Sequence, residues 1–99
     1  MLIEKKTNYK EIIYSINMNY NILDIKVHKS EKYIIILDDN LQINIYNLIT
    51  RNNIGIIDLS GQVKYAYNLD IDISGLYLSL LCQVKGNKKE KSDIVLFQE

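Results

Sequence analysis

Few side chains in this sequence are of types that do chemistry, and their spacing gives them little to do. His28 is the sole histidine. With no Ser, Cys or carboxylate at a defined spacing it forms no triad, and no second nitrogen or thiolate beside it completes a metal site. It reads as a surface residue at a strand end, entering a solvated turn. Cys82 is the only cysteine, within the apolar run Leu80-Leu81-Cys82. That setting suits a small buried hydrophobe rather than a nucleophile and leaves no intrachain disulfide. Asp38-Asp39 offers two carboxylates for acid–base work or a divalent cation. Neighbours on a tight turn point apart, however, so turn geometry is the first reading. Asp70 and Asp72 alternate with Leu69, Ile71 and Ile73, which places them on an outward face or at a strand end.

The strongest hint of a specific surface is Lys85–Ser92, KGNKKEKS. Its Lys85, Lys88, Lys89 and Lys91 are suited to meeting an acidic peptide or phosphate groups. The plainer reading is an idle, flexible insertion. No Gly-rich phosphate loop, GxSxG, HExxH or CxxC is present. The sequence therefore names no catalytic residue, cofactor or metal ligand, and the chain reads as a non-enzyme. Asp38, Asp39, Lys85, Lys88, Lys89 and Lys91 are its candidate partner contacts.

The elements that would position these residues follow from periodicity. Leu23, Ile25 and Val27 alternate with Asp24, Lys26 and His28, the mark of a strand with one buried face, here the apolar one. Tyr33–Leu37, YIIIL, is a continuous β-branched and aromatic run, expected of a strand covered on both faces. Asp38-Asp39-Asn40 is a turn, since short Asx side chains bond their own backbone. Ile43, Ile45 and Tyr46 form a third strand, Thr50–Asn53 another turn, and Ile54–Leu59 a fourth strand. Lys10–Ile16 suits an earlier strand.

A second, imperfect copy follows. Tyr67, Leu69 and Ile71 stand 44 residues after Leu23, Ile25 and Val27; Ser74 matches Ser30, Tyr77 matches Tyr33, and Leu80-Leu81 matches Ile36-Leu37. Ile94–Phe97 matches Ile43–Tyr46 if seven extra residues lie between, within the polar Lys85–Ser92 stretch. A repeat of this length predicts four-stranded antiparallel meanders. The all-β organisation expected is an irregular or strand-bearing segment 1–21, a first unit 22–60 and a second, incomplete unit 61–99.

These residues resemble the WD-repeat β-propeller family. Leu69-Asp70-Ile71-Asp72-Ile73-Ser74-Gly75-Leu76-Tyr77-Leu78 is similar to the family's first turn with its flanking strands. Asp38-Asp39-Asn40-Leu41-Gln42-Ile43-Asn44-Ile45-Tyr46-Asn47-Leu48 is similar to its second turn and signature strand, with Tyr46-Asn47 for Trp-Asp. The resemblance covers Ile22 to Phe97. It departs from the family in lacking a Gly-His before either first strand and in placing Asn40 at the turn Asp, so apolar packing should replace the family's buried polar network. The resemblance implies a propeller fragment acting as a protein-interaction scaffold. The remaining blades would come from a longer chain or from other chains. Asn21–Val27, Ile45-Tyr46-Asn47 and Ser74–Leu78 also resemble blades of the two-propeller scaffolds that bind mitogen-activated protein kinases, which implies kinase-pathway partners.

Composition bounds the alternatives. Twelve acidic and twelve basic residues among 99 cancel, so there is no global pull toward nucleic acid or anionic lipid. Nucleic-acid or phosphoinositide binding through the 85–92 loop is the alternative function. The absence of aromatics beside its lysines weighs against it. Apolar runs of four or five residues fall far short of the roughly 20 that span a bilayer, and the N-terminus lacks a signal-type apolar core. A cytoplasmic protein is expected, with the nucleus also open to it.

Overall fold

A computed structural model of the chain describes residues 15–88 and 91–98. It is all-β, with seven antiparallel strands: β1 (Ile22–Val27), β2 (Tyr33–Asp38), β3 (Gln42–Asn47), β4 (Asn53–Asp58), β5 (Val63–Ile71), β6 (Tyr77–Val84) and β7 (Asp93–Gln98). Strands β1 to β4 form one meander sheet in sequence order, and β5 to β7 a second. The expected strand at Lys10–Ile16 falls largely outside the described residues, and Ser15–Met18 carries no strand.

The two sheets repeat one another strand for strand. In the first, Asp24, Ile25, Lys26 and Val27 pair with Leu37, Ile36, Ile35 and Ile34. In the second, Asn68, Leu69, Asp70 and Ile71 pair with Leu81, Leu80, Ser79 and Leu78, each 44 residues further on. Even the irregularity recurs, since the register shifts between Ile22 and Asp24 and again between Ala66 and Asn68. Past the longer 85–92 loop the offset becomes 51: Ile34 pairs with Tyr46, and Leu78 with Phe97.

The turns entering β2 and β6 are built alike. His28 N–H donates to Tyr33 O at 2.9 Å and Glu31 N–H to His28 O at 2.8 Å. Their counterparts are Asp72 N–H to Tyr77 O at 3.1 Å and Gly75 N–H to Asp72 O at 3.0 Å. Residue 31 and residue 75 both take the left-handed backbone, φ 61° at Glu31 and 78° at Gly75. Only glycine adopts that region without steric penalty.

One core holds the sheets together. Ile35, Leu37 and Ile43 of the first sheet pack with Leu69, Leu80, Ala66 and Cys82 of the second, and Leu59 and Val63 close the connection. Paired residues share a face, so the inner face of the first sheet carries Asp24 and Lys26 on β1 beside Ile35 and Leu37 on β2. This corrects the expected orientation of β1. Leu23, Ile25 and Val27 are exposed, while Asp24, Lys26 and His28 are half-buried against the second sheet. The physical reason is a polar seam between the sheets: the Asp24 carboxylate accepts the Leu69 N–H at 2.7 Å, and the Lys26 ammonium lies 3.6 Å from the same carboxylate.

Candidate functional site

Three turns meet at one end of the molecule. Leu59 N–H donates to Leu41 O at 2.8 Å, joining the β2–β3 and β4–β5 turns, and Lys85 N–H donates to Gln62 O at 2.9 Å, joining the latter to the β6–β7 loop. The Lys85 ammonium adds a bond to Ser60 O at 2.6 Å. A contiguous end surface results, with Asp39, Asn40, Ser60, Gly61 and Lys88 exposed on it.

The sequence-derived candidates divide on this end. Asp38 is 1% exposed. One carboxylate oxygen accepts Asn40 N–H at 2.9 Å and Gln42 N–H at 3.1 Å, and the other accepts the Asn44 amide at 2.8 Å. It is therefore corrected from a partner contact to the internal brace of the β2–β3 turn. Asp39 is exposed, and its carboxylate accepts the Asn21 backbone N–H at 3.2 Å and the Asn21 amide at 3.0 Å. Lys88 and Lys91 are exposed, Lys85 is anchored on Ser60, and Lys89 lies outside the described residues.

The base of the 85–92 loop is held by Asn87. Its amide donates to Lys91 O at 2.7 Å and to the Asp93 carboxylate at 2.9 Å. The same carboxylate oxygen accepts Val84 N–H at 2.9 Å. These donors hold the Asp93 carboxyl below its ordinary value, with the Val84 N–H the larger cause. Lys88 and Lys91 therefore stand beside a root that Asn87 braces.

At the opposite end of β1 an apolar cleft of about 330 Å³ lies between the sheets. Ile45, Ile54, Ile57, Leu78 and Phe97 line it, with His28 and Gly75 at its rim. The sequence predicts a solvated surface residue at His28, and here too the structure differs. Its Nδ1 accepts the Ser30 N–H at 3.1 Å, so the ring is the tautomer whose Nε2–H donates to Gly75 O, at 3.0 Å. The Tyr33 ring packs edge-on to it with centroids 5.7 Å apart. His28 thus ties the first sheet to a turn of the second. The legible clue was its offset: 44 residues on stands Asp72, whose carboxylate braces its own turn by accepting the Ser74 hydroxyl and, at 2.9 Å, the Tyr77 N–H.

Cys82 is buried, and burial, with the Asp93 charge second, pushes its thiol above the ordinary value, as befits an inert core residue. Among the described residues no group of three or more His, Cys, Asp or Glu side chains is arranged to hold a metal ion. No helix among them is long and apolar enough to cross a membrane. Comparison of the chain with protein families, curated proteins and solved structures returned no match.

Proposed function

We propose that this chain is a non-enzymatic protein–protein interaction module, its two sheets being successive repeat units of a WD-type β-propeller. The observation that carries the reading is the end surface on which three turns are bonded into one platform. A rigid platform loses little conformational freedom on docking, which favours recognition of a folded or peptide partner. Its charges are mixed, with both Asp39 and Lys88 exposed, and the Lys85 ammonium is engaged by Ser60 O. That pattern suits a protein surface better than a polyphosphate. A cytoplasmic setting accords with this reading, and kinase-pathway components are the first partners to test.

The experiment is photo-crosslinking from position 40, exposed on the same end surface, in the full-length protein, followed by mass spectrometry of the captured species. A discrete protein adduct is expected, and it should be lost in the Lys88→Glu/Lys91→Glu double variant at an unchanged melting temperature. Capture of nucleic acid or phosphoinositide instead, weakening steeply as salt rises, would replace this reading with the basic-loop alternative.

A further inference from the structure

The two sheets differ along one edge. In the first, β4 runs along β3, with Ile57 opposite Ile43 and Gly55 opposite Ile45. The register-equivalent residues of the second sheet are Ile94 and Leu96 on β7, 51 further on. There β7 ends the sheet, and no strand lies beside it among the described residues. The direction of backbone bonding alternates along an antiparallel strand. Asp72 N–H donates to Tyr77 O, so Tyr77 and Ser79 bond toward β5, while Leu78 and Leu80 bond toward Phe97 and Val95. Ile94, Leu96 and Gln98 therefore turn their N–H and C=O groups away from the sheet. The same count, from His28 N–H to Tyr33 O, turns Ile43 and Ile45 outward in the first sheet, where β4 takes up their groups.

Terminal strands are shielded from stray pairing by bulges, charges or proline. The pairing of β1, of β4 and of β5 is broken by a register shift in each case, but that of β7 is not. From Ile94 to Gln98 this strand carries no charge, no proline and no glycine. Ile94 and Leu96 are 71% and 64% exposed. The apolar cleft adjoins the same edge, lined by Leu78 and Phe97 from the second sheet and by Ile54 and Ile57 from β4. Val95 and Phe97 pack against the core between the sheets. On a strand added to β7, residues opposite these two would enter the cleft, and residues opposite Ile94 and Leu96 would lie against those side chains.

We propose that β7 receives an extended, uncharged segment of a partner protein as an antiparallel fourth strand, with aliphatic side chains seated in the cleft. Outward N–H and C=O groups at alternate residues call for a strand. The lack of charge from Ile94 to Gln98 calls for an apolar one. Strand β4 shows the fit within this molecule, since its Ile54-Gly55-Ile56-Ile57 run is uncharged and pairs with the equivalent backbone groups of β3. Main-chain bonds hold a segment of that shape, and the cleft selects its side chains. The edge is a surface apart from the three bonded turns, and it gives the interaction-module reading a second contact and a partner chemistry.

The probe is a labelled synthetic peptide with the β4 sequence, residues 50–60, titrated with the purified full chain by fluorescence anisotropy. Amide exchange of the chain is followed in parallel by nuclear magnetic resonance. Saturable binding is expected, with exchange slowed at Ile94, Leu96 and Gln98 and unchanged at Val95 and Phe97, which already bond to β6. N-methylation of the peptide at Gly55 or Ile57, whose N–H groups face the edge, should weaken binding about tenfold. N-methylation at Ile56, whose N–H points away, should leave binding unchanged. Absence of saturable binding overturns the proposal. So does binding that leaves the three amides exchanging freely, or that is weakened equally by methylation at Ile56. Slowing of the same amides in the free chain as its concentration rises also overturns it, because a second copy then holds the edge. The end surface is tested by crosslinking from position 40, so the two readings fail independently.

Discussion

Glu31 and Gly75 hold one backbone conformation with different side chains, and the difference is measurable. Glu31 is exposed at φ 61°. Glu31→Gly removes the left-handed strain and adds chain entropy to the unfolded state, so a small net stabilisation of about 0.5 kcal/mol is expected from denaturant midpoints. Leu41 shares the conformation at φ 59° but packs against the core, so the same exchange there should destabilise. A Cβ on Gly75 would lie 2.8 Å from His28 Nε2. Gly75→Ala therefore combines backbone strain with a clash at the bond between the sheets, and a loss of about 2 kcal/mol is expected. Titration adds a pH dependence. Burial raises the Asp24 carboxyl, but bonds from the Leu69 and Ile25 N–H groups and the charge of Lys26 outweigh it, leaving the group below its ordinary 3.8. The Ser74 hydroxyl, with the Tyr77 N–H second, lowers Asp72 likewise. A carboxyl lowered by folding stabilises fully above its unfolded value and loses that contribution as pH falls through the folded one. Denaturant midpoints should thus drop as pH falls below about 4. Asp24→Asn/Asp72→Asn should flatten the profile, and stability that rises on acidification would contradict this reading.

At the scale of elements, legibility tracked how many faces a strand covers. The run Tyr33–Leu37 was plain because β2 is central and its four last residues, Ile35 to Asp38, are all buried. Strand β1 was legible as a strand but not in orientation. Alternation gives a period of two without saying which side meets the neighbour, and Asp24 faces inward because a Leu69 N–H awaits it. Strand β5 buries Val63, Ala66 and Leu69 at intervals of three, which two register shifts produce and a strict alternation hides. The fourth strand ends at Asp58, a residue early, as Leu59 turns into the core. Asp38, expected in the turn, is the last residue of β2 and braces the turn from there, and burial of its carboxylate could not be read from two adjacent acids. Large-to-small substitutions should rank the faces. Leu37→Ala is expected to lose about 3 kcal/mol as a buried core truncation. Leu96→Ala in the monomer should lose under about 1 kcal/mol. Equal losses would mean the two faces are covered alike.

Across the whole molecule, the 44-residue period was visible because Tyr33 and Tyr77, Ser30 and Ser74, and the apolar pairs kept their spacing. What stayed hidden was the contact between the repeats. His28 and Asp24 make it through backbone atoms of Gly75 and Leu69, and a backbone acceptor or donor leaves no mark in sequence. The anchoring of Lys85 on Ser60 O was hidden for the same reason. All larger conclusions rest on two register-equivalent sheets stacked face to face, and a nuclear Overhauser measurement on the labelled full chain tests that stacking directly. A cross-peak between the His28 ring Hε1 and a Gly75 Hα is expected, given the approach of that ring to Gly75. Both sheets folded, with the His28 ring showing contacts only to Ser30 and Tyr33 and none to Gly75, would contradict the account.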